Sequence, residues 1–199
     1  MTAKCSNPGE KALTRDECER LLAACSTLED RVMILLQATL GLRRADLAAI
    51  QIAGIDFHTN QIAVPEQKAG GRARLIPIGD RLKQEIAMLV NTIDITKQTT
   101  LFSVGGRQMY NRFNRVAKVA GIRPGETITF PALRATACRF MVEAGWRIEE
   151  IAEVLGVRVE TVQKHCPPPA KSRVMQTARE KEVVAGPGGE RGGETIGYK

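Results

Sequence analysis

No C-x-x-C pair occurs among the five cysteines of this 199-residue chain, at positions 5, 18, 25, 138 and 166, so zinc-ligand spacing is missing. Their odd number and wide separation argue against a disulfide framework, and a reducing cytoplasmic setting is expected. No apolar run is long enough to span a membrane, and the N-terminal stretch around Lys4, Glu10 and Lys11 lacks the apolar centre of a signal peptide. Neither a membrane partner, a metal nor a cofactor is therefore expected. Internal repeats are absent, and aromatic residues contribute only 4% of the chain, although the 43% apolar content suits an ordinary globular core.

What the chain does have is positive charge. Lys and Arg total 29 against 22 Asp and Glu, a net charge of +7, with a pI near 9.4. Such an excess favours a polyanionic partner, and nucleic acid is the leading candidate.

The apolar periodicity is mainly helical. Thr14 and Glu17 form a capping box before the stripe Cys18, Leu21, Leu22 and Cys25, predicting a first helix to about Ala24. Residues 31–40 are almost uniformly apolar and predict a buried second helix. A short amphipathic helix is expected over 45–50, then β-prone runs at 55–57, 61–64 and 73–78 separated by turn-like segments. Helical spacing returns over 81–90, 107–120 and 132–143. The expected fold is thus mainly α with one small three-stranded antiparallel β-sheet, an α+β arrangement.

The boundaries follow composition. Residues 1–12 read as an N-terminal extension and 13–169 as the domain, closed by Pro167-Pro168-Pro169. A basic helix is expected over 170–183, suited to packing on a neighbouring molecule and so to a homo-oligomer. Beyond it, 184–199 is a Gly-rich tail too poor in apolar residues to offset chain entropy.

The segment Gly41-Leu42-Arg43-Arg44-Ala45-Asp46-Leu47 carries the most chemical information. An arginine pair opening a helix directly behind a buried one presents guanidinium forks and backbone N–H groups, a phosphate receptor. The competing reading has both arginines solvated and paired with Asp46 or Glu17. Lys68 in a Gly-rich turn also reads as an ordinary hairpin lysine, and Arg134 as a surface or ion-paired arginine.

Order and local motifs together resemble the catalytic domain of the tyrosine recombinases, the phage-integrase and Xer-type family, from about Leu13 to Lys171. Leu40-Gly41-Leu42-Arg43 looks like the family's first-arginine box, which implies that Arg43 touches the scissile phosphate. Lys68, with Gly70, Arg72 and Leu75-Ile76-Pro77-Ile78, looks like the β-hairpin lysine element, which implies that Lys68 protonates the leaving oxygen. Pro131-Ala132-Leu133-Arg134 stands where the family has His-x-x-Arg, Leu155-Gly156-Val157 where it has Leu-Gly-His, and Cys166 where it has the nucleophilic tyrosine. The resemblance implies a partner, double-stranded DNA, and an activity, strand cleavage and rejoining through a covalent 3′-phosphotyrosine.

The departures bear on mechanism. Pro131 and Val157 can neither donate a proton nor hydrogen-bond through their side chains, and Cys166 offers a thiol in place of a phenol. A shift of one residue would put His165 there instead. Tyr110 is expected within a helix away from the motifs, and Tyr198 lies in the tail. Cleavage is accordingly expected to be impaired, the alternative being an active recombinase with an atypical nucleophile or one supplied by a partner. Residues 148–162 also look like a helix-turn-helix, with Ala152 at the crossing, Gly156 in the turn and Val162 buried. As a transcriptional regulator the chain would direct Arg158, Thr161, Gln163 and Lys164 at DNA. The DNA-binding set common to these readings is Arg43, Arg44, Lys68, Arg72, Arg134, Arg158 and Lys164.

Overall fold

Thr14 starts the first helix through a reciprocal exchange. Its hydroxyl accepts from the Glu17 amide at 3.1 Å, and the Glu17 carboxylate accepts from the Thr14 amide at 2.7 Å. Both are N–H groups that a helix start otherwise leaves without partners. α1 (Arg15–Ala23) follows, and α2 (Leu28–Leu40) is capped from one side only, by the Thr27 hydroxyl accepting from the Asp30 amide at 3.1 Å. The apolar run of α2 is buried as its pattern predicts, packed against α1, α4 (Asp80–Val90), α5 (Gly106–Ala120) and α6 (Phe130–Glu143). α2 ends where Gly41 turns left-handed at φ 58°, a conformation that costs a side-chain-bearing residue energy.

The computed structural model describes residues 12–65, 73–123 and 128–165, with backbone alone at Lys164 and His165. These residues all belong to one compact unit, Met1–Pro167. Lys68, Arg72, Cys166, the helix expected over 170–183 and the tail over 184–199 lie outside the described residues.

α3 (Arg44–Ala48) is shorter than its apolar pattern, and a 3-10 turn at Ile52–Gly54 leads into the sheet. β1 (Ile55–Asp56), β2 (Gln61–Val64) and β3 (Arg74–Pro77) run antiparallel in that order, with Ile62 facing Ile55 on one side and Ile76 on the other. β1 stops early because the Asp56 carboxylate accepts from the amides of His58 and Thr59 at 2.8 and 3.0 Å, a side-chain-built turn. α6 begins two residues before the expected Ala132 because Pro131 is accommodated in its first turn, where no N–H is required. Phe130, at that start, meets Phe113 of α5 edge to face with centroids 5.0 Å apart. α7 (Ile148–Leu155) and α8 (Val159–His165) close the described chain.

Cys18 and Cys25 are free thiols, whereas Cys138 is disulfide-bonded, which corrects the expectation of cysteines without disulfides at that position. Among the described residues no helix is long and apolar enough to cross a membrane, and no cluster of His, Cys, Asp and Glu could hold a metal ion.

Candidate phosphate-binding site

The end of α2 is pressed against two other elements. A Cβ at Gly41 would lie 2.7 Å from Leu155 Cδ2 and 3.1 Å from Ala137 Cβ, so the chain reaches α6 and the end of α7 only because position 41 has no side chain. Arg134 of α6 fastens that junction. Its Nη1 donates to the Gly41 carbonyl at 2.5 Å and its Nη2 to the Leu155 carbonyl at 2.7 Å. Each acceptor lies at a helix C-terminus, where carbonyls lack intrahelical partners and carry partial negative charge. Arg134 is therefore neither a solvated arginine nor the partner of a carboxylate. Burial, and after it the neighbouring Arg43, lower its pKa to about 10, which leaves it a cation at neutral pH.

Arg43 stands at the N-cap of α3, exposed, and reaches across to donate from Nη2 to the Gly156 carbonyl at 2.9 Å. Gly156 ends α7 in the left-handed region at φ 62°, which turns its carbonyl away from the helix it closes. Two guanidinium groups far apart in sequence thus grip the carbonyls of consecutive residues, Leu155 and Gly156. They line one pocket of about 620 Å³, together with Arg44, Tyr110, Pro131 and Val157. Most of the remaining lining is hydrocarbon from Leu42, Phe130 and Leu155.

Arg44 passes over the Tyr110 ring, 5.8 Å from guanidinium carbon to centroid, a cation–π arrangement. Tyr110 accordingly belongs to the pocket, which corrects the sequence expectation that it lies away from the motifs. Its neighbours on α5, Met109 and Phe113, are buried, while Tyr110 sits at the edge of that apolar stripe where the helix borders the cavity.

Neither Arg43 nor Arg44 forms an ion pair among the described residues, so the pairing with Asp46 or Glu17 does not occur. Glu17 pairs with Arg123 at 2.7 Å, and Asp46 with Arg74 at 3.2 Å. Sequence reasoning missed Arg74 and the role of Asp46. The signal was the strand period: Arg74 shares a face of β3 with the buried Ile76, so its charge had to meet a partner inside. The Arg74 guanidinium lies so close to the turn at Gly156 that a Cβ there would sit 1.4 Å from Arg74 Nη1.

α7 and α8 pack as a helical pair around that turn, with Ala152 and Val162 buried and Arg158, Thr161 and Gln163 exposed. Lys164 lies in α8, and its side chain is outside the described portion.

The chain is 29% identical over 151 residues to tyrosine recombinase XerA of Pyrococcus horikoshii, which covers 73% of this chain and 52% of that one. To tyrosine recombinase XerC of Corynebacterium glutamicum it is 26% identical over 139 residues, covering 64% and 42%. The chain spans about half the length of the curated relatives it matches. In fold it resembles the crystal structure of XerA recombinase with a TM-score of 0.72, at 21% identity and with 85% and 65% of the two chains covered. It also resembles a lambda integrase dimer bound to a COC′ core site, at a TM-score of 0.63 and 19% identity, over 78% and 48% of the chains. The model of the phage integrase family matches residues 11–165, a span that takes in the sheet, both clasping arginines and the closing helix pair, and the chain belongs to that family.

Proposed function

We propose that this chain binds duplex DNA through its phosphate backbone and holds one phosphodiester between Arg43 and Arg134, within a recombination or integration system, with strand cleavage impaired. The observation that carries this reading is the convergence of the two guanidinium groups on neighbouring carbonyls at the rim of one pocket. Each arginine uses only part of its five-donor fork on those carbonyls, which leaves N–H groups for the non-bridging oxygens of a phosphate. Two positive charges so placed would stabilise the charge that builds on those oxygens during cleavage. Arg44, Arg72, Arg158 and Lys164 would add backbone contacts, and Lys68 would supply the proton for a departing 5′ oxygen. Among proteins of similar fold, the Tn1549 transposon integrase was solved in complex with a circular intermediate DNA, and XerH recombinase bound to difH substrate.

Impairment follows from the residues at the other positions. Pro131 and Val157 both border the pocket and carry only hydrocarbon there, so neither can move a proton to or from a phosphate oxygen. Cys166 stands in the sequence where the family has its tyrosine, so that position supplies no phenol. The helix over 170–183 would supply contacts to a second copy on the same duplex.

A covalent trap tests the proposal. With a nicked suicide duplex, the protein should retain DNA on a filter, with affinity falling steeply as salt rises, and should leave no adduct after denaturation in detergent. A protease-sensitive DNA adduct would overturn the impairment. The triple change Pro131→His, Val157→His and Cys166→Tyr is the complementary arm, since groups that act as a unit are not restored one at a time.

The placement of Tyr110 favours one second reading, an active recombinase whose nucleophile has moved. Its phenol borders the same cavity as Arg43 and Arg134. An adduct that maps to Tyr110 and vanishes in Tyr110→Phe would establish that reading in place of the first.

A further inference from the structure

Three guanidinium groups and the buried carboxylate of Asp46 lie about the turn at Gly156, and the side chains of Glu150 and Glu153 line a separate pocket on the other side of Arg74. Arg43 and Arg134 hold the carbonyls of the turn, Arg74 lies against Gly156, and Asp46 accepts from Arg74. Asp46 is the more deeply enclosed member of its pair, with 3% of its side chain exposed against 13% for Arg74. A carboxylate so buried requires a cation, because an unpaired charge away from water is strongly unfavourable. It sits on α3 three residues after Arg43, and its field reaches Arg134: Asp46 favours the protonated form of that arginine, while Arg43 and Arg74 oppose it.

Each arginine that could neutralise Asp46 is therefore also one that could hold a phosphate. We propose that Arg74 is a positioning residue that engages Asp46 and so keeps this carboxylate from competing with DNA phosphate for Arg43 and Arg134. The inference rests on the phosphate-holding reading of that arginine pair. Arg74 reaches Asp46 from β3, and the absence of a side chain at Gly156 leaves room for the guanidinium to lie across the turn. Arg74 thereby sets the net charge of the receptor from β3 without itself touching phosphate. Without Arg74, Asp46 would draw on Arg43 or Arg134, and one of the two phosphate-binding charges would be spent inside the protein.

The test is the salt dependence of duplex binding, whose slope counts phosphate contacts. Four proteins are compared: the parent, Arg74→Met, the double variant Arg74→Met with Asp46→Asn, and Arg43→Ala. Arg74→Met should lower the slope by about one unit, because a freed Asp46 takes one arginine. The double variant should return to the parent slope, since the competing carboxylate has gone with its partner. If it stays as low as Arg74→Met, then Arg74 itself touches phosphate and the inference is overturned. An unchanged slope in a folded Arg74→Met overturns it as well, because a purely structural contact would alter melting and not the slope. Should Arg74→Met fail to fold, the double variant, which buries no unpaired charge, decides alone. A parental slope there supports the inference, and a slope lower by about one unit overturns it. An unchanged slope in Arg43→Ala would instead remove the phosphate-holding reading on which the inference stands.

Discussion

The guanidinium of Arg43 and the carbonyl oxygen of Gly156 meet at 2.9 Å across 113 residues of chain. That bond is exposed, while the two bonds made by Arg134 are partly buried, and the difference separates the effects of removing either residue. Arg43→Ala is expected to change the free energy of unfolding in urea by no more than about 1 kcal/mol, because water can replace the lost donor. Arg134→Ala strips donors from two carbonyls at once and is expected to cost about 2–3 kcal/mol. Both should lower the salt slope of duplex binding by about one unit. Equal stabilities for the two variants would contradict the clasp assigned to Arg134.

Three left-handed glycines provide an internal control. Gly121 has φ 58° and open space where a Cβ would stand, so Gly121→Ala should cost only the backbone strain, about 1 kcal/mol. Gly41→Ala adds a contact at 2.7 Å with Leu155, and Gly156→Ala places a methyl 1.4 Å from Arg74 Nη1. Both should destabilise the fold by more than Gly121→Ala in urea melts. Gly156→Ala should also weaken duplex binding, because Arg74 must leave its seat beside Asp46.

Burial pushes the thiols of Cys18 and Cys25 up to about 11. At pH 8 roughly one in a thousand is then a thiolate, and only the thiolate alkylates. Iodoacetamide is expected to label neither position at an appreciable rate in the native protein and both rapidly in urea. Native labelling at the unfolded rate would mean that α1 opens far more often than its packing implies.

The acid limb of stability is carried by carboxylates held by arginines. Hydrogen bonding from Arg123 keeps Glu17 below the usual carboxylate range despite partial burial, and Glu29 is lowered although burial opposes it, through bonds from Arg112 and Ser103. A carboxyl whose pKa is depressed on folding stabilises the protein fully above its unfolded value and ceases to do so as pH falls through the folded one. The melting temperature should therefore decline as pH drops below about 4, and Glu17→Gln should shallow that decline. A parallel shift at every pH would mean that Glu17 acts by packing alone.

Much of the scaffold was legible because it is local. The reciprocal cap at Thr14, the buried run of α2 and the three strand segments each follow from neighbouring residues, and the structure departs from them by a residue or two at the ends. The convergence of Arg43 and Arg134 was legible only through their resemblance to paired motifs, since nothing in either helix specifies the other. The Asp46–Arg74 pair was not legible: period two places Arg74 on the inner face of β3, but it cannot say which element covers that face. Tyr110 eluded the sequence for the same reason. Helical spacing marks it as the margin of an apolar stripe, and only the packing of α5 beside α3 turns that margin into a pocket wall.

The clasp on the closing turn is made to main-chain oxygens, which every residue type supplies. Substitutions at position 157 or 131 therefore leave the acceptors of Arg43 and Arg134 in place so long as the turn keeps its glycine. On the proposed reading, the ability to grasp a phosphate and the ability to break it therefore drift under separate constraints. The first is guarded by backbone geometry, and the second is exposed to every change of side chain.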